Sequence, residues 1–316
     1  MKSGELIRSA RSGHRIRVGM GGWQLEPFNG IFYPSRPGKG FRKLEWYSRY
    51  FDTVEVNATF HTNSLTPNNA QQWIQDVAGN KRFIFSVKLF KGFTHSMDAR
   101  RGDVRLVCNL LNPLAEQEML VGLVMQFPQS FRNTKENRTH LAKLAKAFSA
   151  FPMFVEVRHV SWSTADILAF LEEHRLHLVN VDLPAIKEYM PFTSVAWGGR
   201  SYFRLMGRNS EMWDQPPSTR RTQSASESGR YLYRYTEEEL EGFAGLIKPV
   251  SMKMDQTEII LHNDPLGNSL LNGMQLRRLL NPAEQVEAPP SLMKNFPELE
   301  AAGVQPTPRP KDMFGA

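Results

Sequence analysis

Residues 54–60 read Val54-Glu55-Val56-Asn57-Ala58-Thr59-Phe60, and the alternation in this stretch decides the fold. A strand sends successive side chains to opposite faces. Val54, Val56 and Ala58 therefore form an apolar face suited to packing under helices, while Glu55, Asn57 and Thr59 point the other way, toward a lumen or its mouth. Runs of the same kind occupy 15–23, 53–60, 82–89, 120–127, 153–159, 177–182, 201–207 and 257–264, and nearly every one ends in polar or ionisable residues. Helix starts lie between them. Thr66-Pro67 reads as an N-cap followed by proline at the first helical position, and Ser163-Thr164-Ala165-Asp166 and Thr236-Glu237-Glu238-Glu239 fit the capping box. Leu141, Leu144, Ala145 and Phe148 recur at helical spacing, as do Ile167, Leu168 and Leu171. Strand and helix repeated about eight times predict a parallel sheet, and eight strands close it into a single (β/α)₈ TIM-type barrel of the α/β class. An open doubly wound sheet is the competing arrangement.

The chain has 316 residues, 41% hydrophobic and 22% charged, enough for one such barrel, which takes roughly 250 residues. The expected division is an N-terminal extension over 1–14, the barrel over 15–281 and a proline-rich tail over 282–316 that wraps the surface or stays unstructured. Residues 24–40, with Pro27, Pro34 and Pro37, are expected to form a long ordered first loop. Residues 206–230, rich in Ser, Arg and Gln, read as a mobile insertion after the seventh strand. No run approaches the roughly 20 apolar residues of a membrane span, the polar N-terminus lacks an apolar signal core, and Cys108 is the sole cysteine. A cytoplasmic protein with no membrane partner and no internal disulfide is the expectation. The formal charge of +7 favours anionic partners.

Barrel enzymes keep their chemistry at the C-terminal ends of the strands. Alternation turns Ser86 and Lys88 inward in the third run, Gln126 in the fourth, Glu156 and Arg158 in the fifth, Asp182 in the sixth and Arg204 in the seventh. In the eighth run either Asn263 or the pair His262 and Asp264 faces in. An ion-pair layer that fixes strand register would also place charges at a barrel mouth, but such a layer does not require their concentration at one end.

These segments resemble the YecE-like family, catalogued as a domain of unknown function. The resemblance rests on Gly19-Met20-Gly21-Gly22-Trp23, Glu55-Val56-Asn57-Ala58-Thr59-Phe60, Val87-Lys88, Thr94-His95, Gln126-Phe127-Pro128, Glu156-Val157-Arg158-His159, Ser161-Trp162, Asp182, Arg204-Leu205, Tyr233 and Tyr235 before Glu239-Leu240, and Asn263-Asp264. It spans about residues 15 to 280 and implies a (β/α)₈ barrel without implying a reaction. His61 stands where the family pattern has Tyr, and Met206-Gly207 where it has His-Gly.

Lys88, Arg158, Arg204 and His95 are four potential cations around one cavity, which suits a phosphate or carboxylate. Glu55, Glu156, His95, His159 and Asp182 are the candidate catalytic residues. Trp23, Asn57, Lys88, Gln126, Arg158, Trp162, Arg204 and Asn263 are the candidate substrate contacts. Beside the cations the carboxyl pKa values fall, which casts Glu55 and Glu156 as bases and leaves His95 or His159 as the proton donor. The expected substrate is a small anionic molecule, a phosphorylated sugar or a nucleotide-like compound, and the expected chemistry is that of a hydrolase, isomerase or lyase without a cofactor. A second reading adds a divalent metal held by Glu55, Glu156, Asp182 and one of His159, His262 or Asp264. A third is a non-catalytic anion- or RNA-binding protein that uses the basic insertion around Arg220-Arg221. Trp23 and Trp162 suit stacking on a sugar or base and serve equally as plugs of the barrel mouth. Cys108 reads as buried filler. Gly19-x-Gly21-Gly22 lacks a third glycine and runs into a long loop, so no dinucleotide site is expected.

Overall fold

The computed structural model describes residues 16–213 and 229–308. Eight strands, β1 (Ile16–Met20), β2 (Thr53–Val56), β3 (Ile84–Lys88), β4 (Leu120–Gln126), β5 (Met153–Glu156), β6 (Leu176–Asp182), β7 (Arg200–Leu205) and β8 (Gln256–Leu261), pair in parallel in chain order. Register from Ile16 opposite Thr257 to Met20 opposite Leu261 joins β8 back to β1 and closes the barrel. The helices Pro67–Asp76, Arg101–Glu116, Lys135–Ala147, Ile167–Glu173, Glu237–Ser251 and Asn268–Leu280 form its outer layer. No helix among the described residues is long and apolar enough to cross a membrane.

Two packed regions follow from strand alternation. Ile84, Val124, Phe154, Val179, Val181, Tyr202 and Ile260 touch one another across the lumen. Their neighbours in sequence, such as Phe85, Leu123, Val155, Phe203 and Ile259, pack outward in one large core with the helices. The connection over 183–199 carries no helix, and Asn180 on the outer face of β6 takes that role. Its side chain donates to the Val195 carbonyl at 2.9 Å and accepts from the Val195 amide at 2.9 Å and the Thr193 hydroxyl at 2.8 Å.

The caps expected at Thr66 and Thr236 form, the first with Asn69 and the second with Glu239. The capping box expected from Ser163 does not. That helix starts at Ile167 with no side-chain cap, and the Asp166 carboxylate accepts from Arg138 at 2.6 Å. Within the same helix Ile167 and Leu171 are buried while Leu168 is exposed. The first loop is fastened by rings, with Phe32 meeting Tyr33, Tyr47 and Tyr50 edge-on at centroid separations of 5.1 to 6.3 Å. After Leu280 the strands Glu287–Ala288 and Gln305–Pro306 pair in parallel, and Val286, Leu292, Phe296, Leu299 and Val304 are buried in the outer core. Residues 1–14, most of the 206–230 insertion and the last residues of the tail lie outside the described residues.

Direct pairing of β1 with β2 is confined to Met20 opposite Val54. Two other contacts hold that seam. The Tyr47 hydroxyl accepts from the Met20 amide and donates to the Thr53 carbonyl, each at 2.9 Å. Gly19 lies so near β2 that a Cβ would stand 2.1 Å from the Thr53 carbonyl oxygen. A backbone atom cannot swing aside, so Gly19→Ala must spread the seam. Equilibrium denaturation is expected to show a loss of about 1–3 kcal/mol for Gly19→Ala. Gly38→Ala, where nothing lies within 4 Å of the added carbon, should stay within about 0.5 kcal/mol of wild type. Equal effects of the two substitutions would contradict the close approach.

Candidate functional site at the barrel mouth

Arg204, near the end of β7, sends its side chain into the lumen and is fully buried. One terminal nitrogen donates to Glu55 Oε1 on β2 at 2.8 Å and the other to Glu156 Oε2 on β5. None of these three strands adjoins another in the ring, so the guanidinium bridges the barrel from wall to wall. The Tyr202 hydroxyl, two residues earlier on the same face, donates to Glu55 Oε2 at 2.9 Å and lies 2.6 Å from Ser86 Oγ. Arg158 Nε donates to Glu156 Oε1 at 2.7 Å. All four carboxylate oxygens thus have a partner.

His262 closes the network behind Arg204, and its Nε2 accepts from Arg204 Nε at 3.1 Å. Burial, reinforced by Arg204, pushes the imidazole pKa down to about 4. The ring is therefore neutral at pH 7, and its 3.4 Å approach to Glu55 is not an ion pair. Gly21 backs it: a Cβ there would stand 2.3 Å from the ring.

The charges sort themselves by this packing. Burial opposes ionisation of Glu55 and Glu156, yet Arg204, joined by Arg158 at Glu156, outweighs it and holds both carboxyls well below the usual range. Such carboxylates are poor bases. Lys88, at the end of β3, moves the other way. The residue is partly exposed although its amine is densely surrounded. Burial first, then Arg204, lowers its pKa to about 7 against the pull of Glu55 and Glu156. Lys88 Nζ lies 4.1 Å from the centroid of the Phe60 ring. Among the described residues it has no hydrogen-bond or ion-pair partner. His95, edge-on to Phe60 at 4.9 Å, is pushed down to about 4 by burial, Lys88 and Arg158. It is neutral at pH 7. Asp264 is raised to about 7 by burial and by Glu55, and accepts from the Ser269 hydroxyl at 2.7 Å.

Of the residues chosen from sequence, Glu55, Lys88, Glu156, Arg158 and Arg204 come together, with His95 at the rim. Gln126 shares the inward parity of Val124, and its amide donates to the Phe127 carbonyl at 2.8 Å. Asn57, just past β2, donates to the Gly21 carbonyl at 2.6 Å.

Five others lie elsewhere. Asp182 faces outward because Val179 and Val181 take the lumen positions of β6, and its carboxylate binds Arg208 and the Tyr235 hydroxyl beneath the helix Glu237–Ser251. Asn263 is also outward, donating to the Tyr233 carbonyl and to Asn272, because Ile260 and His262 hold the inward parity. His159 shares the helix-facing parity of Val155 and Val157, and its Nδ1 accepts from the Ser161 amide at 3.0 Å. Trp162 is fully buried, stacked on Phe131 with its indole donating to the Phe131 carbonyl. Trp23 packs edge-on against Trp73 in the outer core at 5.7 Å. Neither tryptophan offers a free face at the mouth.

With Asp182 and His159 turned away, the metal-ligand set expected from sequence does not assemble. No group of three or more His, Cys, Asp or Glu side chains among the described residues is placed to hold a metal ion. Tyr202 and Trp213 went unnamed as site residues, and His262 was named only as a possible inward residue of the eighth run and a possible metal ligand. Tyr202 was reachable, since it shares the parity of Arg204. His262 was hidden by Ile259-Ile260-Leu261, apolar on both faces. Trp213, whose ring lies 5.4 Å from the Arg158 guanidinium, follows the strand and carries no periodic signal.

The family profile described as "Protein of unknown function DUF72" matches residues 17–295. The UPF0759 protein YunF of Bacillus subtilis is 27% identical over 282 residues, covering 84% of this chain and 95% of the relative. A crystal structure of a DUF72 family protein from Thermotoga maritima superposes with a TM-score of 0.73 at 26% identity, covering 84% of this chain and 99% of that one. Another, from Enterococcus faecalis, gives 0.71 at 22% identity over 84% and 95% of the two chains, and supports the fold alone.

Removing the bridging guanidinium leaves two buried carboxylates opposed to each other, so Arg204→Met is expected to cost about 3–5 kcal/mol. The pH dependence follows from the direction of the shifts. Carboxyls held low in the folded state add stability that is complete above their unfolded value of about 4.3 and drains away as pH falls toward the folded value. Denaturation midpoints measured between about pH 7 and about pH 2 should fall steeply for wild type only below about 4.3, whereas Arg204→Met should already lose stability toward neutrality. Parallel profiles for the two proteins would contradict the bridge.

Proposed function

Because the chain belongs to the DUF72 family, of which the Thermotoga maritima protein shares this barrel, we propose from its own residues that it is an enzyme acting on a small anionic molecule bound at the barrel mouth. Arg158 holds the anion and Lys88 moves the proton. One observation carries this reading: beside Glu55 and Glu156, whose oxygens are all partnered, Lys88 Nζ and the two terminal nitrogens of Arg158 have no hydrogen-bond or ion-pair partner among the described residues, only the rings of Phe60 and Trp213. A guanidinium oriented by its Nε bond to Glu156 and flanked by Trp213 presents a fork suited to phosphate or carboxylate oxygens. An amine titrating near neutrality can take or give a proton at working pH, which Glu55 and Glu156, saturated and held ionised, do poorly.

The proton-transfer assignment therefore moves from the carboxylates to Lys88, within the hydrolase, isomerase or lyase classes drawn from sequence. Glu55 and Glu156 are positioning residues that fix Arg204 and Arg158.

Sulfate, which does not titrate near neutrality, tests the clamp by calorimetry. Losing a charge-assisted contact worth about 1.5–3 kcal/mol should weaken sulfate binding roughly tenfold to a hundredfold in Arg158→Ala. Lys88 is protonated below about pH 7 and neutral above it. Lys88→Met should accordingly weaken sulfate binding below that point and match wild type well above it. Sulfate binding that is absent from wild type, or unchanged in both variants, would overturn the reading.

A further inference from the structure

We infer that Lys88 is a covalent nucleophile: its Nζ, at the C-terminal end of β3 over the face of Phe60 and without a hydrogen-bond or ion-pair partner among the described residues, forms an imine with an aldehyde or ketone whose phosphate or carboxylate Arg158 holds. This rests on the anion-binding reading of the same mouth and narrows its substrate to a carbonyl compound bearing an acid group.

The geometry favours bond formation over ion pairing. A lysine kept only for its charge would sit against a carboxylate, but Arg204, Arg158 and Tyr202 already occupy the four oxygens of Glu55 and Glu156. Nζ instead stands over the face of Phe60 and makes no hydrogen bond among the described residues. Crowding by other cations is one of the ways a lysine amine is made nucleophilic, and Arg204 and Arg158 both disfavour the ammonium here. The product is provided for as well. An iminium is cationic, and Glu55 and Glu156 act on this site with the opposite sign, while the Phe60 ring favours a cation at its face.

The step balances without a further reactant. The amine lone pair attacks the carbonyl carbon, the C=O π pair moves to oxygen, and that oxygen takes a proton from nitrogen to give the carbinolamine. Loss of the oxygen with the second nitrogen proton releases water and leaves C=N. Protonation of the imine nitrogen from solvent then provides an electron sink for cleavage or proton loss at the adjacent carbon, which places the reaction among lyases or isomerases.

Glyoxylate, the smallest aldehyde that carries a carboxylate, is a suitable probe, with acetaldehyde as its uncharged counterpart. Borohydride reduces any imine to a stable secondary amine, and peptide mass spectrometry locates it. At pH 7 an ordinary lysine, with a pKa of about 10.4, is almost wholly protonated, so the adduct at Lys88 should form at least roughly tenfold faster than at exposed lysines. Excess sulfate should suppress it, and Lys88→Arg should abolish it. Adducts scattered over surface lysines with none at Lys88, while sulfate binding still depends on Arg158, would overturn the imine and leave the anion clamp standing. Equal labelling of Lys88 by glyoxylate and acetaldehyde, unaffected by sulfate, would support the nucleophile and overturn the clamp.

Discussion

A single guanidinium, that of Arg204, is held across the lumen between carboxylates from two strands that do not touch each other. Burying three charges carries a large desolvation penalty, and it is tolerable because each oxygen and each terminal nitrogen finds a partner. The consequences spread outward. Tyr202, itself bonded to Ser86, completes Glu55, Arg158 completes Glu156 from the mouth, and His262 stays neutral to accept from Arg204. Gly21 must lack a side chain because the His262 ring occupies the space where it would go.

This arrangement changes what the carboxylates are for. Two glutamates facing one cavity suggest an acid and a base when seen in isolation. Once both are paired and held ionised, they act as the counter-charges that set the orientation and potential of the cations. In the proposed reading the reactive character passes to Lys88, which makes no hydrogen bond or ion pair with either carboxylate among the described residues and stands over the Phe60 ring. Its pKa is lowered first by burial and then by Arg204, so the structural bridge and the proposed chemistry share a residue.

Much of this was legible from strand alternation. In Val54-Glu55-Val56 the apolar positions are β-branched and the inward one is charged, so the assignment of faces is forced. The same holds for Arg204, which sits between Phe203 and Leu205, and for Glu156 between Val155 and Val157. Alternation fails where both faces of a strand are apolar. In β6 the inward residues are Val179 and Val181, so the polar Asn180 and Asp182 serve the outer layer, one replacing a missing helix and the other anchoring Arg208. In β8 the run Ile259-Ile260-Leu261 gives no phase, and His262 rather than Asn263 faces in. The tryptophans misled for another reason: aromatic residues after a strand contribute more to packing by burial than by exposure, and both Trp23 and Trp162 are absorbed into the outer core. The protonation states were beyond sequence altogether, because they arise from neighbours supplied by several different strands.

The most direct test of the account is the titration of Lys88 itself, followed by NMR of the side-chain Cε and Nζ nuclei and assigned by comparison with Lys88→Arg. A midpoint near pH 7 that moves when Arg204 is replaced is the predicted result. A midpoint at the ordinary lysine value of about 10.4 would contradict it, leaving Lys88 an ordinary surface-type cation and the barrel mouth without its reactive amine.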